Sequence, residues 1–214
     1  MDDISRIRLY LFEKGDSRKA EERIAAAVAN LTGKPANIFE WKLRYKKKGK
    51  PYFKKHSEFF LSITHSGEYW ACALSNLQVG IDLQMHILRE GETEYAAGMR
   101  YANLAKRFFH EKEANYVQAK ASYKKFFRIW AAKESYVKYT GKGIDDEFGS
   151  FSVIPESENS LPEYYSGDGY ATWTAAGVCF VECLKGKIKN SDYTLCVCGK
   201  WPVEILEIKH MNFK

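Results

Sequence analysis

No uninterrupted apolar run in the sequence approaches the roughly 20 residues that a bilayer-spanning helix requires, so a membrane helix is not expected to organise the protein. The first residues, Met1-Asp2-Asp3-Ile4-Ser5-Arg6, lack the basic start and apolar core of a secretory leader, and a cytosolic location is expected. Cysteine is scarce and odd in number: Cys72, Cys179, Cys183, Cys196 and Cys198 are all there is among 214 residues. The last four follow C-x3-C and C-x-C spacing and lack the C-x2-C knuckle of a structural zinc site. Buried, reduced thiols in apolar strands are the expectation. Signatures of the RNP or KH type are absent as well, which weakens an RNA-binding reading.

The composition that is present, 45% hydrophobic and 28% charged, is that of an ordinary globular protein able to bury a sizeable core as one large or two small domains. A formal net charge of +6 favours anionic partners: a phosphorylated small molecule, a nucleic acid or an acidic protein face.

Residues 4–12 alternate Ile7, Leu9 and Leu11 with Arg6, Arg8 and Tyr10, the period of a half-buried strand. A helix is expected next, with Ser17 as its N-cap, strong helix formers over 20–31 and Gly33 at its C-terminus. The most basic stretch follows at 44–53, and its Gly49 and Pro51 argue for a loop. Strand-like runs at 59–64, 69–75 and 79–84, joined by turn-like Ser66-Gly67-Glu68 and Asn76-Leu77-Gln78, read as an antiparallel meander. From residue 85 to 139 the pattern turns helical, most clearly over 111–120 and 122–139, until Gly141 and Gly143 end it. Strand-like runs return at 151–154, 172–184 and 193–199, with an exposed loop expected at 156–169. The class is therefore α+β. An N-terminal half (1–85) and a C-terminal half (86–214) are expected to meet near residues 84–90, where a cleft would bring Asp82 close to Glu134.

Those two acids are oddly placed. On a helix turning roughly 100° per residue, Phe127, Trp130, Glu134 and Val137 share one arc, with Lys138 one turn beyond Glu134. A carboxylate among apolar side chains calls for a lysine partner, a bound cation or a raised pKa. Asp82 lies in an apolar strand-like run, 77–83, although aspartate is a poor strand former. Two such acids suggest a shared metal ion. Spacing alone leaves blander readings open. Glu134 and Lys138 also fit a solvated i, i+4 pair, and Gly80 fits a bulge or turn. His65 fits either a turn or a phosphate contact, and Lys46 to Lys50 fit a solvated loop, a phosphate clamp or a nucleic-acid patch.

Taken together and in order, Gly49-Lys50-Pro51, Thr64-His65-Ser66-Gly67, Val79-Gly80-Ile81-Asp82, Arg107-Phe108-Phe109 with Glu113, Trp130-Ala131-Ala132-Lys133-Glu134-Ser135-Tyr136-Val137-Lys138 and Gly141-Lys142-Gly143 resemble the 4'-phosphopantetheinyl transferases of the surfactin-synthetase-activating type. These enzymes move the phosphopantetheine arm of coenzyme A to a serine on a carrier protein. The resemblance runs from about residue 44 to residue 153; the first 43 residues match poorly and the C-terminal strands fit loosely.

The resemblance implies a pseudo-twofold pair of similar α+β subdomains with coenzyme A in the cleft between them, and Mg²⁺ as cofactor. Asp82 and Glu134 would hold the ion against the pyrophosphate, Glu134 would take the serine proton, and Lys138 would offset developing charge. Lys50 and His65 match positions that bind the nucleotide 3'-phosphate and its neighbours, with Lys48 beside them; Thr64 stands where serine is common. Many members carry a second acid two residues after the strand aspartate, whereas this chain has Gln84. Either the amide oxygen of Gln84 ligates the ion or Glu113 completes the shell. Lys133, about 100° from Glu134, faces elsewhere. The implied partner is a small, acidic, helical acyl or peptidyl carrier protein, with no nucleic acid and no membrane, and the protein is expected to be a monomer. Two alternatives are an RNA-binding module built on Lys46 to Lys50 with Tyr45, Tyr52 and Phe53, and a coenzyme A-binding relative without transfer activity, for which Gln84 would be the mark.

Overall fold

The computed structural model describes residues 4–13, 19–37, 39–143, 146–162, 170–188 and 191–211. Strand β1 (Ser5–Glu13) is buried on both faces: Ile7, Leu9 and Leu11 enter one core, Tyr10 and Phe12 another. Helix α1 (Ala20–Thr32) lays Ile24, Ala27 and Val28 on Tyr10, Phe12 and Trp70 and ends at Gly33, whose φ of 68° suits a residue without a Cβ. It begins after Lys19, whose N–H donates to Glu22 Oε2 at 2.8 Å; the expected cap, Ser17, lies outside the described residues.

The basic stretch is a hairpin and not a loop. Strands β2 (Leu43–Tyr45) and β3 (Pro51–Phe53) pair antiparallel, turning at Gly49, with Leu43 opposite Phe53 and both buried. That apolar pair anchors the hairpin to the α1 core while its turn stays in solvent.

Strands β4 (Phe60–Ser66) and β5 (Tyr69–Ser75) form the expected hairpin, but β6 (Val79–Met85) does not continue it. Instead β6 pairs antiparallel with β9 (Ser191–Gly199), which pairs with β8 (Val178–Ile188), which pairs with β7 (Ala171–Ala175). The run at 172–184 is thus two strands split by a turn at Ala176 and Gly177, both with positive φ. A further strand, β10 (Val203–His210), lies parallel to β1, a pairing the sequence reading did not anticipate. Residues 151–154 are not a strand; they run irregularly, with the Val153 N–H donating to Glu113 Oε1 and the Val153 carbonyl accepting from Trp173 Nε1.

Among the described residues the result is two four-stranded sheets, ordered β10-β1-β5-β4 and β6-β9-β8-β7. They stack through a shared core in which Leu9, Ala71 and Ala73 meet Ile81, Val181 and Leu195. Helix α1 covers the outer face of the first sheet. Helices α2 (Glu94–Phe108), α3 (Glu111–Gln118) and α4 (Tyr123–Thr140) cover the second. The α+β class follows directly, and the topology repeats: β1, α1, β4, β5 and β6, α4, β8, β9 each run strand, helix, hairpin, with the second hairpin strand beside the first strand. The residue 85/86 boundary falls at the end of β6, yet hydrogen bonding crosses it, since β6 joins the later sheet and β10 joins the earlier one.

At the free edge of β6, side chains of β4 stand in for a neighbouring strand. Ser62 Oγ, Thr64 Oγ1 and Ser66 Oγ accept the N–H groups of Ile81, Leu83 and Met85 at 3.1, 3.2 and 2.9 Å. These bonds hold β6 at side-chain distance from β4, which is why the meander does not close.

All five cysteines are free and buried. Cys179 and Cys183 face the inter-sheet core whereas Cys196 and Cys198 face the helices, so the four cannot converge on one ion. Among the described residues no helix is long and apolar enough to cross a membrane.

Candidate active site

The site forms where α4 crosses β6. Strand alternation sends Val79, Ile81 and Leu83 into the inter-sheet core and turns Gly80, Asp82 and Gln84 toward α4. Gly80 sits at the crossing itself: a Cβ there would overlap the Ser135 carbonyl oxygen and stand 2.5 Å from Tyr139 N. Its φ is not positive, so the bulge or turn reading gives way to close backbone approach. Helix α4 is buried almost all round. Below Glu134, Arg128 forks onto Glu182 of β8, with Nη2 to Oε2 at 2.7 Å, which braces the helix against the sheet.

Asp82, 2% exposed, is the hub. Its Oδ1 accepts from Lys138 Nζ at 2.5 Å and Thr64 Oγ1 at 3.0 Å, and its Oδ2 accepts from Gln84 Nε2 at 2.7 Å. The i, i+4 ion pair expected between Glu134 and Lys138 is not made, because Lys138 reaches across to the more deeply buried carboxylate instead. A buried charge demands a partner more strongly than a solvated one.

Glu134, 7% exposed, accepts no hydrogen bond among the described residues. Burial, reinforced by the Asp82 charge and only partly opposed by Lys138, pushes its carboxyl up to about 7. It is therefore poised between acid and base at neutral pH.

Beside this pair opens a cleft of about 510 Å³, bounded by the β2–β3 hairpin, β4 and the C-terminal end of α4. Lys48, Lys50, His65 and Lys138 line it, all brought together from the positions the sequence singled out. The stem of Lys48 lies over Gly143 and His65 is exposed. Thr64 does not line the cleft; its hydroxyl is buried behind Asp82, donating to that carboxylate while accepting from Leu83 N.

Glu113 stands apart from Asp82 and Glu134. Its Oε2 accepts from Lys133 Nζ at 2.9 Å and from His110 N at 3.1 Å, and its Oε1 from Val153 N at 2.7 Å, all in a fully buried setting. Lys133 also donates to Phe151 O at 2.6 Å and lies over the Phe151 ring, on the side of α4 turned away from Glu134. The shell expected from Asp82, Glu134 and Glu113 therefore does not form. Among the described residues no three His, Cys, Asp or Glu side chains gather, and the oxygen donors at hand are two carboxylates and the Gln84 amide. Sequence reasoning also missed Gln78, whose Nε2 donates to Tyr139 O at 2.5 Å, and Ser62, and it did not foresee that Ser62, Thr64 and Ser66 act as a run of acceptors for β6. The run carried a signal, short hydroxyls at every second residue of a strand; Gln78 carried none.

The model of the 4'-phosphopantetheinyl transferase superfamily matches residues 78–198, more than half the chain. The chain belongs to that superfamily. The match begins just before β6 and ends within β9, so it holds Asp82, Gln84, Glu113, Glu134 and Lys138, while Lys48, Lys50, Thr64 and His65 precede it. Among known transferases, the chain is similar to a 4'-phosphopantetheinyl transferase of Bacillus subtilis, 29% identical over 157 residues, 72% of this chain and 61% of that protein. It is 37% identical over 108 residues to the 4'-phosphopantetheinyl transferase gsp of Aneurinibacillus migulanus, covering 49% of this chain and 40% of that protein. The L-aminoadipate-semialdehyde dehydrogenase-phosphopantetheinyl transferase of Rattus norvegicus is 30% identical over 128 residues, 54% of this chain and 40% of its own. In each case the chain spans less than two thirds of the relative's length.

Proposed function

We propose that this chain transfers the 4'-phosphopantetheine arm of coenzyme A to a serine hydroxyl of an apo acyl or peptidyl carrier protein, releasing adenosine 3',5'-bisphosphate. Membership of a superfamily that uses coenzyme A and acts on carrier proteins supports the reading. The observation that carries it is the Glu134 carboxylate, which accepts no hydrogen bond among the described residues and lies beside Asp82 and Lys138, the last of which also lines the lysine-rich cleft.

The serine oxygen forms a bond to the phosphorus nearest the pantetheine, and the pyrophosphate bridge breaks toward the nucleotide. Glu134, with its carboxyl near 7, accepts the serine proton. Lys138 supplies an ammonium to the phosphoryl oxygens as charge develops there, and Lys48 and His65, which line the cleft, orient the nucleotide phosphates.

A buried carboxylate without a donor, next to a second carboxylate and an amide oxygen, is a donor set suited to a hard divalent cation, so the residues fit Mg²⁺. Asp82, Glu134 and the Gln84 Oε1 atom would hold it. Bound there, the ion would neutralise pyrophosphate charge and polarise the reacting phosphoryl group.

The reading includes two α+β halves, 1–85 and 86–214, enclosing the cleft, and a cytosolic monomer. Buried free thiols support the cytosolic location. The carrier partner would be a small acidic helical domain, matching the chain's net charge of +6.

The test is mass spectrometry of an apo carrier protein incubated with the purified protein, coenzyme A and Mg²⁺. A gain of about 340 Da, the mass of the transferred arm, is expected with the wild-type protein and not with Glu134→Ala. No gain on any of several acyl and peptidyl carriers, or full activity in Glu134→Ala, overturns the assignment.

A further inference from the structure

Lys50 occupies the cleft wall where a nucleotide-phosphate ligand is expected, yet its ammonium is already engaged by protein. Nζ donates to Tyr139 O at 2.6 Å and to Val79 O at 3.2 Å, which uses two of its three protons. Its stem crosses Gly141, where an added Cβ would come within 3.1 Å of Lys50 Cδ. Gly141 ends α4 in the left-handed region, φ 71°, with its N–H bonded to Val137 O at 2.8 Å.

The place of those two acceptors matters. Tyr139 O belongs to the last turn of α4, where carbonyls have no partner within the helix and the helix dipole favours a cation. Gln78 Nε2 donates to the same oxygen at 2.5 Å. Val79 O belongs to β6, three residues before Asp82, and Tyr139 follows Lys138 directly. Lys50 thus pins together the two elements that carry the Asp82–Lys138 pair, at the point where they cross. Burial, with Lys46 nearby, holds the ammonium down to about 8, as expected for a cation that has given up solvent for carbonyls.

We propose that Lys50, with Gln78, is a positioning residue that fixes α4 against β6 so that Lys138 meets Asp82, while the nucleotide phosphates are bound by the other cations of the cleft. The part concerning phosphates rests on the coenzyme A reading; the clamp itself does not.

The experiment therefore has a ligand-free arm and a ligand arm. In the first, amide hydrogen exchange of the last turn of α4 is followed at Gly141 in the wild type, Lys50→Met, Gln78→Leu and Lys47→Met, which removes a charge from the same exposed hairpin turn. Exchange about tenfold faster in Lys50→Met and Gln78→Leu, with no change in Lys47→Met, is expected for loss of one such hydrogen bond. Unchanged exchange in both overturns the clamp. Gln78→Leu, which removes the second donor to the same carbonyl, decides the matter if Lys50→Met does not fold.

In the second arm, affinities for coenzyme A and 3'-dephospho-coenzyme A are measured with kcat. Lys50→Met should keep the wild-type ratio of the two affinities and lose kcat about tenfold or more. Collapse of that ratio toward one would make Lys50 the phosphate ligand and overturn the assignment. Failure of the wild type to bind either nucleotide would instead sink the coenzyme A reading, and the exchange data would still decide the clamp.

Discussion

Gly80 and Ser135 are in backbone contact: the Cα of the strand residue faces the carbonyl oxygen of the helix residue with no room for a methyl group between them. Gly80→Ala must push α4 off β6 or distort its middle turn, because the obstacle is main chain and cannot rotate away. The expected loss is at least about 3 kcal/mol, at the top of the overpacking range, read as a lower urea midpoint. A loss below about 1 kcal/mol would show that the crossing is looser than the structure has it.

Thr64 holds Asp82 from behind while receiving Leu83 N, so one hydroxyl both orients the acid and completes the edge of β6. Thr64→Val is nearly isosteric and strands both groups, at a cost of about 1–3 kcal/mol. Thr64→Ser keeps the oxygen and should recover most of that. Transfer activity should fall with Thr64→Val and return with Thr64→Ser, at little change in KM for coenzyme A, since the side chain is buried away from the cleft. A large KM effect would instead make Thr64 a direct ligand.

Glu134 gives the protein a pH-dependent weakness. Its carboxyl ionises near 4.5 in the unfolded chain and near 7 in the folded one. Between those values the folded state binds more protons, so raising the pH favours unfolding, and the loss is complete above about pH 7. In the absence of divalent cations, Glu134→Gln should be the more stable protein at pH 8, by on the order of 3 kcal/mol, with the difference vanishing below about pH 4.5. His86 acts in the opposite sense: burial holds its imidazole down to about 4, so stability is lost as the pH falls from about 6.5 toward 4. Both proteins share that histidine, and the difference between their thermal melting profiles removes it. A difference that does not depend on pH would place the Glu134 carboxylate in water.

Much of this molecule is legible in the sequence where spacing determines a face. Alternation in β1, the i, i+3 and i+4 apolar pattern of α4, and Gly33 and Gly141 as helix ends all describe local geometry, and the structure follows them. Asp82 and Glu134 could likewise be picked out, because acids in apolar settings need a reason, whereas His65 and the basic stretch draw a role only from the family resemblance. What spacing does not state is the neighbour. Strand β6 looks like the third strand of a meander, yet it pairs with β9 far along the chain, since its free N–H groups are met by hydroxyls and not by a strand. Lys138 looks like the partner of Glu134 until Asp82, the more deeply buried of the two, is brought within reach. Glu113 looks available to a metal ion until Lys133, which spacing shows only to face away from Glu134, is seen to pair with it in the core. Each of these turns on competition for desolvated partners across long sequence separations, which periodicity does not encode.

The packing of the cysteines bears on the chemistry proposed for the cleft. Burial raises the thiols of Cys72, Cys179, Cys196 and Cys198 well above their usual range, and all five cysteines lie inside the two cores or the first sheet. Coenzyme A is itself a thiol that readily forms disulfides. A protein handling it with accessible thiolates would be open to mixed-disulfide capture by its own substrate, and these side chains offer no nucleophile for that exchange.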